Sequence, residues 1–480
     1  MDKYKKLAAN TVLFAVATFS SKLLSFFLMP YVTRKLTDSD YGTADLIQQT
    51  ANVLIPLVFI QISSGVLRFA LDKESDKKDV FSVGIQTMMI GYAISIPFAY
   101  PLSFITLDHG NFRLGDYLLL VYIFVLTSGT RHLCQHFVRG SGNVKIFAID
   151  GVIATLLTIL FNLLFLGVFK WGVYGYILAI IGADACSVVF FFVTNKLWRF
   201  IKFKGVNKDT RRAMIKYSAP LIPTIILWWI INVSDRFMVA DMVGLSEQGL
   251  YSAASKIPNF VVMFATIFMD AWQLSAVDEY DNEETADFFT KIFRVFSGGV
   301  FVVASAIIIF TQIITRILVD KSYFPSWKYV PILIMATTIS CFVNFLGSIY
   351  MAEKKSVMSM FTALAGAATN LILNLILIRI IGANGAAIAT VAAFAVVFVS
   401  RAINTRKYVR VEFNPPLMIV EFLLLAVQCV VMLLMGGGIV MYAIEAVVFL
   451  AMLVLNRNPI KELAGLIINK FLKRGKPQAN

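Results

Sequence analysis

The chain has 480 residues, of which 58% are hydrophobic and only 15% are charged. A water-soluble domain could not bury so much apolar surface, so the composition indicates a polytopic membrane protein and excludes a soluble globular enzyme. The formal net charge of +14 comes from basic residues that flank apolar segments, which is typical of membrane topology and contact with anionic lipids and argues against nucleic-acid binding.

Apolar segments of about 20 residues, each long enough to cross a hydrocarbon core of about 30 Å, recur along the whole chain. They predict an all-α polytopic membrane protein with about fourteen transmembrane helices. The predicted spans are 10–31, 43–69, 80–106, 116–138, 146–168, 172–195, 213–240, 248–277, 290–317, 329–351, 357–380, 383–404, 416–435 and 438–456.

The first span contains a lysine, Lys22, in its interior. It lies roughly 18 Å along the helix from Asn10 and about 13 Å from Tyr31, too deep for easy snorkelling. An ammonium group there costs about 2.5–3.5 kcal/mol on insertion scales. We therefore expect Lys22 to face a wet cavity, a counter-charge or an anionic ligand.

Basic residues concentrate in alternate loops, including the stretch Lys196 to Lys216 and the tail Arg457 to Lys476. The positive-inside rule then places both termini in the cytoplasm, as expected for a multi-pass protein of the cell (plasma or inner) membrane. His132 and His136 share a helix face, but the sequence shows no further ligand for a metal. No nucleotide-binding or hydrolase motif occurs, so we predict neither a cofactor nor an enzymatic activity.

Two segments repeat at nearly one offset. LTDSDYGTA (Leu36 to Ala44), expected as the turn between helices 1 and 2, resembles VGLSEQGLY (Val243 to Tyr251), and aligning Gly42 on Gly249 gives an offset of 207. Gly172-x-x-Gly175 and Gly382-x-x-Gly385 match at an offset of 210. We therefore predict two pseudo-symmetric six-helix lobes around a central cavity, followed by an extra helix pair. The predicted parts are an N-lobe at 1–195, a basic linker at 196–212, a C-lobe at 213–410, helices 13 and 14 at 411–457 and a basic tail at 458–480.

Three segments resemble the polysaccharide and O-antigen flippases of the multidrug/oligosaccharidyl-lipid/polysaccharide flippase superfamily: SKLLSFFLMPYVTRKLTDSDYG, SSGVLRFAL and YSAPLIPTIILWWIINVSDRFMVADMVGLSEQGLYSAASKI. The resemblance implies alternating access and the flipping of an undecaprenyl-diphosphate-linked oligosaccharide to the outer leaflet. It also implies membrane lipids and a polysaccharide polymerase as partners. A multidrug and toxin extruder of the same fold is the alternative, although the basic Lys22 disfavours cationic cargo.

Lys22 and Lys256 are the candidates for binding the diphosphate, since two ammonium groups at one depth of a cavity would neutralise it. The lipid II flippases also place basic residues in helices 1, 2 and 8. The helix 2 candidate here, Arg68, lies at the cytoplasmic end, so it is either an interfacial anchor or a first contact for the incoming phosphate. Gln49, Gln61 and Asn232 are candidates for a polar cavity wall, although such amides often join helices.

Four further charges leave alternatives open. Asp235 and Arg236 are adjacent and so point in different directions, with Arg236 able to snorkel and Asp235 able to pair with Lys256 instead of leaving Lys256 to the substrate. Asp184 and Asp270 lie inside predicted helices, where an ionised carboxylate must be protonated, paired or exposed to a cavity. Either could bind a coupling proton or sodium ion.

Overall fold

A computed structural model describes residues 26–202, 204–279, 285–353 and 355–462. The described residues contain a short helix at 26–35 (α1), a run of helices joined by short loops and a two-stranded antiparallel ribbon. The first part of the chain contains α2 Asp38–Val58, α3 Ile62–Leu71, α4 Lys77–Ser95, α5 Ala99–Leu102, β1 Thr106–Leu107, β2 Phe112–Arg113, α6 Leu114–Gly140, α7 Val144–Asn162, α8 Gly172–Asn195, α9 Lys208–Ser218, α10 Ile222–Met242 and α11 Leu245–Ala254. The remainder contains α12 Asn259–Glu279, α13 Thr285–Ile309, α14 Thr311–Leu318, α15 Val330–Ala352, α16 Ser356–Ile381, α17 Ala383–Asn404, α18 Pro415–Met435 and α19 Ile439–Leu455.

The all-α membrane fold predicted from composition is confirmed. Within the described ranges, 11 helices are long and apolar enough to cross a membrane, or 12 if the bent pair α2 and α3 forms one span. These correspond to predicted spans 2 to 13, and the shorter apolar helix α19 corresponds to the fourteenth. Most of the first predicted span lies outside the described residues.

The helix starts at α2 and α11 differ from the prediction. The segment expected as a turn, Leu36 to Ala44, is mostly helical because Thr37 and Asp40 form a capping box: Asp40 N donates to Thr37 Oγ1 at 3.1 Å and Thr37 N to Asp40 Oδ2 at 3.3 Å. α11 likewise begins at Leu245, directly after Gly244 with φ +126°. Both repeated segments are therefore first turns of helices.

Contacts divide the described chain into two compact units. One contains the chain up to Ser252 together with Leu318–Tyr323, and the other contains the rest. The core of the first unit is built from apolar residues of α2, α3, α4, α6 and α8. The core of the second includes an aromatic cluster in which Phe296 stacks on Phe345 at 5.6 Å and Phe301 contacts Phe342 at 5.2 Å. The lobe boundaries expected from the repeat, at 195 and 213, stay predictions.

The second repeated motif has the same local geometry in both copies. Gly172 and Gly382 have φ of +55° and +61°, a conformation that favours glycine, and each stands at the start of a helix, α8 or α17. Gly175 and Gly385 each approach a backbone carbonyl of the preceding segment, that of Phe165 and that of Leu377 respectively. The two copies of the motif therefore share one local geometry, while the pseudo-symmetry of whole lobes stays a prediction.

A polar contact anchors the linker that follows α8. Lys202 Nζ donates to Asp76 Oδ2 at 2.7 Å and to Asp79 Oδ1 at 2.9 Å, and its backbone N donates to Ser82 Oγ at 2.7 Å. The hydrogen bond from Lys202 lowers the pKa of Asp76 below its ordinary value. The linker is thus attached to the start of α4.

Candidate functional site

The carboxylate of Asp45 in α2 accepts hydrogen bonds from four polar side chains of the first unit. Arg236 Nη1 of α10 donates to Asp45 Oδ1 at 2.8 Å and to Oδ2 at 2.9 Å. Gln49 Nε2, one turn along α2, donates to Oδ1 at 3.1 Å. From α11, Gln248 Nε2 donates to Oδ2 at 3.1 Å and Ser252 Oγ at 2.6 Å. We call these five residues, Asp45, Gln49, Arg236, Gln248 and Ser252, the Asp45 cluster.

Burial makes the Asp45 cluster energetically important. The Asp45 side chain is 2% exposed and that of Arg236 is 13% exposed. Two charges out of water are tolerated only when they are paired and their remaining hydrogen-bonding positions are filled, and both Asp45 oxygens here accept several bonds. Because Arg236 donates to both oxygens, its guanidinium is fixed by this carboxylate. The cluster therefore ties α2, α10 and α11 together.

The Asp45 cluster lies beside the contact between the two repeated segments. A Cβ on Gly42 would come within 3.1 Å of Gly249 N, and one on Gly249 within 3.2 Å of Gly42 N. The Cβ on Gly42 would also collide with the Leu245 carbonyl, and the Cβ on Gly249 with the Asp38 carbonyl. Leu245 and Asp38 are themselves equivalent at the offset of 207. The two segments therefore pack as a local two-fold pair, and only glycine allows this approach.

Two more polar contacts join α2 and α11, and one of them links equivalent positions. Ser246 Oγ donates to Asp38 Oδ2 at 2.7 Å. Ser252 stands 207 residues after Asp45, the offset that relates Gly249 to Gly42, so the Ser252–Asp45 bond joins equivalent positions. The two copies of the repeated segment are thus in direct contact within the first unit.

The structure places the predicted site residues of α10 in different environments. Arg236, for which snorkelling was one expectation, is instead held in the Asp45 cluster, because a buried carboxylate lies within hydrogen-bonding reach. Asp235 points elsewhere, as its adjacency to Arg236 predicted, and accepts a bond from Tyr251 Oη at 2.7 Å. Asn232 is exposed and donates to the Trp228 carbonyl at 2.6 Å. Trp229, the repeat equivalent of Lys22, donates through Nε1 to the Gln49 carbonyl at 3.3 Å.

Other predicted residues lie apart from the Asp45 cluster or outside the described parts. Lys22 lies outside the described residues, as does the side chain of Asp270. Lys256 was expected within a regular helix, but it does not lie in one. It stands in the break between α11 and α12, because Pro258 lacks a backbone donor and disfavours helix before it. Arg68 is exposed near the end of α3, and Gln61, with φ 49° at the bend before α3, donates to Ser64 Oγ at 2.9 Å.

Asp184 belongs to a second charged network in the first unit. Arg131 of α6 donates to Asp184 Oδ1 of α8 at 2.7 Å and to Asp150 Oδ2 of α7 at 3.0 Å. Gln135 donates to the same Asp150 oxygen at 3.0 Å, and Ser128 donates to Asp184. Of the alternatives expected for Asp184, the structure shows pairing. Arg131 joins three helices and also lines a cavity of about 100 Å³.

Comparison with known proteins agrees with this architecture. The sequence profile described as polysaccharide biosynthesis protein matches residues 7–273. No curated protein matches the chain by sequence.

Solved structures share the fold across most of the chain. The lipid II flippase MurJ in an inward closed conformation is 16% identical with a TM-score of 0.69, covering 94% of this chain and 100% of that one. An inward-facing multidrug resistance MATE family transporter is 12% identical with a TM-score of 0.59, covering 82% and 98%. A MOP superfamily transporter from Pyrococcus furiosus, whose binding pocket is described as having reverse polarity, is 13% identical with a TM-score of 0.56, covering 82% and 95%.

Proposed function

Since this chain belongs to the polysaccharide biosynthesis protein family, we propose that it is a flippase for a lipid-linked glycan. It would move an undecaprenyl-diphosphate-linked oligosaccharide from the cytoplasmic to the outer leaflet of the cell membrane. Both termini would be cytoplasmic, and a polysaccharide polymerase would use the product. The observation that carries the proposal is the family match over residues 7–273. The contact of equivalent glycines, Gly42 and Gly249, supports alternating access, because repeat transporters move repeated elements against each other.

The substrate's diphosphate would be bound by Lys22 and Lys256. Two ammonium groups neutralise a diphosphate in a low dielectric, yet point charges on flexible stems can also release it. The break in the helix at Lys256 supports this role, since irregular backbone at membrane depth is typical of substrate sites. Arg68, exposed near the end of α3, would meet the incoming phosphate first.

The Asp45 cluster would have a separate role as an interlock between equivalent segments. While it is closed, Arg236 is held by a carboxylate and Gln49 is fixed beside Trp229. Movement of the substrate across the membrane would require the segments around Gly42 and Gly249 to separate. We therefore assign the cluster to gating, while the lysines supply the affinity for the diphosphate.

Transport by reconstituted protein tests the substrate. Labelled polyprenyl-diphosphate sugars would be flipped by the wild type, and Lys22→Ala and Lys256→Ala would each slow flipping by at least tenfold. Lys73→Ala, which changes an exposed loop lysine, is the matched control and should transport normally. Equal rates for all four proteins would refute the roles of the two lysines.

The interlock can be tested by cross-linking Asp38→Cys to Ser246→Cys, whose native side chains hydrogen-bond at 2.7 Å. The four native cysteines, which are free thiols, are first replaced by serine or alanine. Oxidation should stop transport and reduction should restore it, while either single cysteine variant remains active. Transport at the wild-type rate by the oxidised double variant would contradict the gate.

A multidrug exporter remains the second candidate, because the MATE transporter has the same fold. The same vesicles distinguish the two: efflux of cationic drugs without flipping of lipid-linked sugars would favour export.

A further inference from the structure

Three helices of the second unit bring polar side chains together in an otherwise apolar region. Gln428 Nε2 of α18 donates to Glu445 Oε2 of α19 at 2.8 Å and to the Ser305 carbonyl of α13 at 3.4 Å. Gln428, Glu445 and Ser305 are each 0% exposed. Gln428 and Glu445 both stand about 10 Å from the turn that joins their helices, so the contact lies well inside the hairpin.

Each of these side chains has one buried oxygen without a hydrogen-bond partner: Ser305 Oγ, Gln428 Oε1 and Glu445 Oε1. An unpaired buried polar atom is destabilising, and three on the side chains of one cluster are unusual. The carboxylate adds a negative charge, and among the described residues no lysine, arginine or histidine forms an ion pair with it. The cluster therefore lacks a positive partner.

The neighbouring carboxylate provides a contrast. Glu421, also in α18, is 3% exposed and accepts a bond from Asn456 Nδ2 at 2.7 Å. It lines a cavity of about 730 Å³, and neither of its oxygens is both buried and unpartnered. Of these two carboxyl groups, Glu445 has a buried oxygen without a hydrogen-bond partner and Glu421 does not.

We propose that Ser305, Gln428 and Glu445 form a binding site for a sodium ion. The three atoms without hydrogen-bond partners are all oxygens, which hard cations prefer as ligands. A single carboxylate balances one positive charge. A divalent ion would leave a net positive charge buried in the hydrocarbon region, which is expensive. Sodium would tie α18 and α19, which lie outside the repeats, to α13.

Binding of sodium stands on these contacts alone, whereas any effect on flipping rests on the proposed function. If the ion couples to transport, flipping depends on sodium in the wild type and loses that dependence in Glu445→Gln. Failure to flip the lipid-linked sugar would overturn the proposed function, but it would leave the binding experiment unaffected.

The binding experiment measures the thermal unfolding of the purified full chain in NaCl, KCl and choline chloride at one pH and ionic strength. Sodium should raise the midpoint of the wild type and of the matched control Glu421→Gln, and potassium and choline should not. Glu445→Gln should need at least tenfold more sodium for the same effect, and Ser305→Ala, which removes one oxygen with little loss of volume, several-fold more. No specific effect of sodium on the wild type would overturn the site. So would an undiminished response in both Glu445→Gln and Ser305→Ala, which would leave Glu445 as a carboxylic acid that holds a proton.

Discussion

Removing the charge of Asp45 should destabilise the first unit strongly. In Asp45→Asn the side chain keeps its volume, but Arg236 stays buried without the carboxylate that accepts its bonds at 2.8 and 2.9 Å. Breaking a buried pair by changing one partner costs about 3–5 kcal/mol. Arg236→Gln should cost a similar amount, because it leaves the 2%-exposed Asp45 carboxylate without its cation.

The double variant separates the pair from its surroundings. If the two groups stabilise the fold through each other, Asp45→Asn combined with Arg236→Gln costs less than the two single changes added, by a coupling energy of about 2–3 kcal/mol. Reversible unfolding in mixed micelles measures all three variants. Arg68→Gln, at an exposed site, should stay within about 0.5 kcal/mol of the wild type. Strict additivity of the two cluster variants would show that the ion pair does not stabilise the first unit.

Three further predictions concern other parts of the first unit. Gly42→Ala should prevent the close approach of the repeated segments and sharply lower the folded yield, whereas Gly151→Ala, where a Cβ meets nothing within 4 Å, should be harmless; equal yields would contradict the packing argument. Arg131→Gln should lower stability by about 3–5 kcal/mol, more than Asp184→Asn, because it leaves two carboxylates unpaired; denaturant unfolding of both variants checks the order. The hydrogen bond from Lys202 lowers the pKa of Asp76, so this carboxylate stabilises the folded state. The stabilisation is complete at a pH above the ordinary aspartate pKa, and it is lost as the pH falls through the lowered pKa. Asp76→Asn should therefore flatten the acid limb of a melting-temperature profile, and an unchanged profile would rule out that contribution.

The sequence predicted the helical architecture well, because membrane spans depend mainly on local composition. It also predicted the relation of Gly42 to Gly249, since a position that tolerates no side chain keeps glycine in both copies. The helix break at Lys256 was missed, although Pro258 was a visible local signal.

Pairing between residues far apart in the chain was the feature that the sequence predicted least well. Asp45 was not predicted as a site residue, yet Gln49 four residues later and Ser252 at the repeat offset were available as signals. The pairing of Arg131 with Asp150 and Asp184 could not be predicted, because it depends on how α6, α7 and α8 rotate about their axes. Periodicity is a poor guide to rotation in lipid, where apolar residues can face either the membrane or another helix.

The Ser252–Asp45 contact also bears on how such a chain could arise. In a dimer of two identical halves, a residue at the two-fold axis would meet its own copy, and an aspartate there would face another aspartate. Fusion of the halves into one chain removes that constraint, since each position can then change alone. The covalent link thus permits a buried acid to receive a hydroxyl from its counterpart and an arginine from α10, a combination that strict symmetry would forbid.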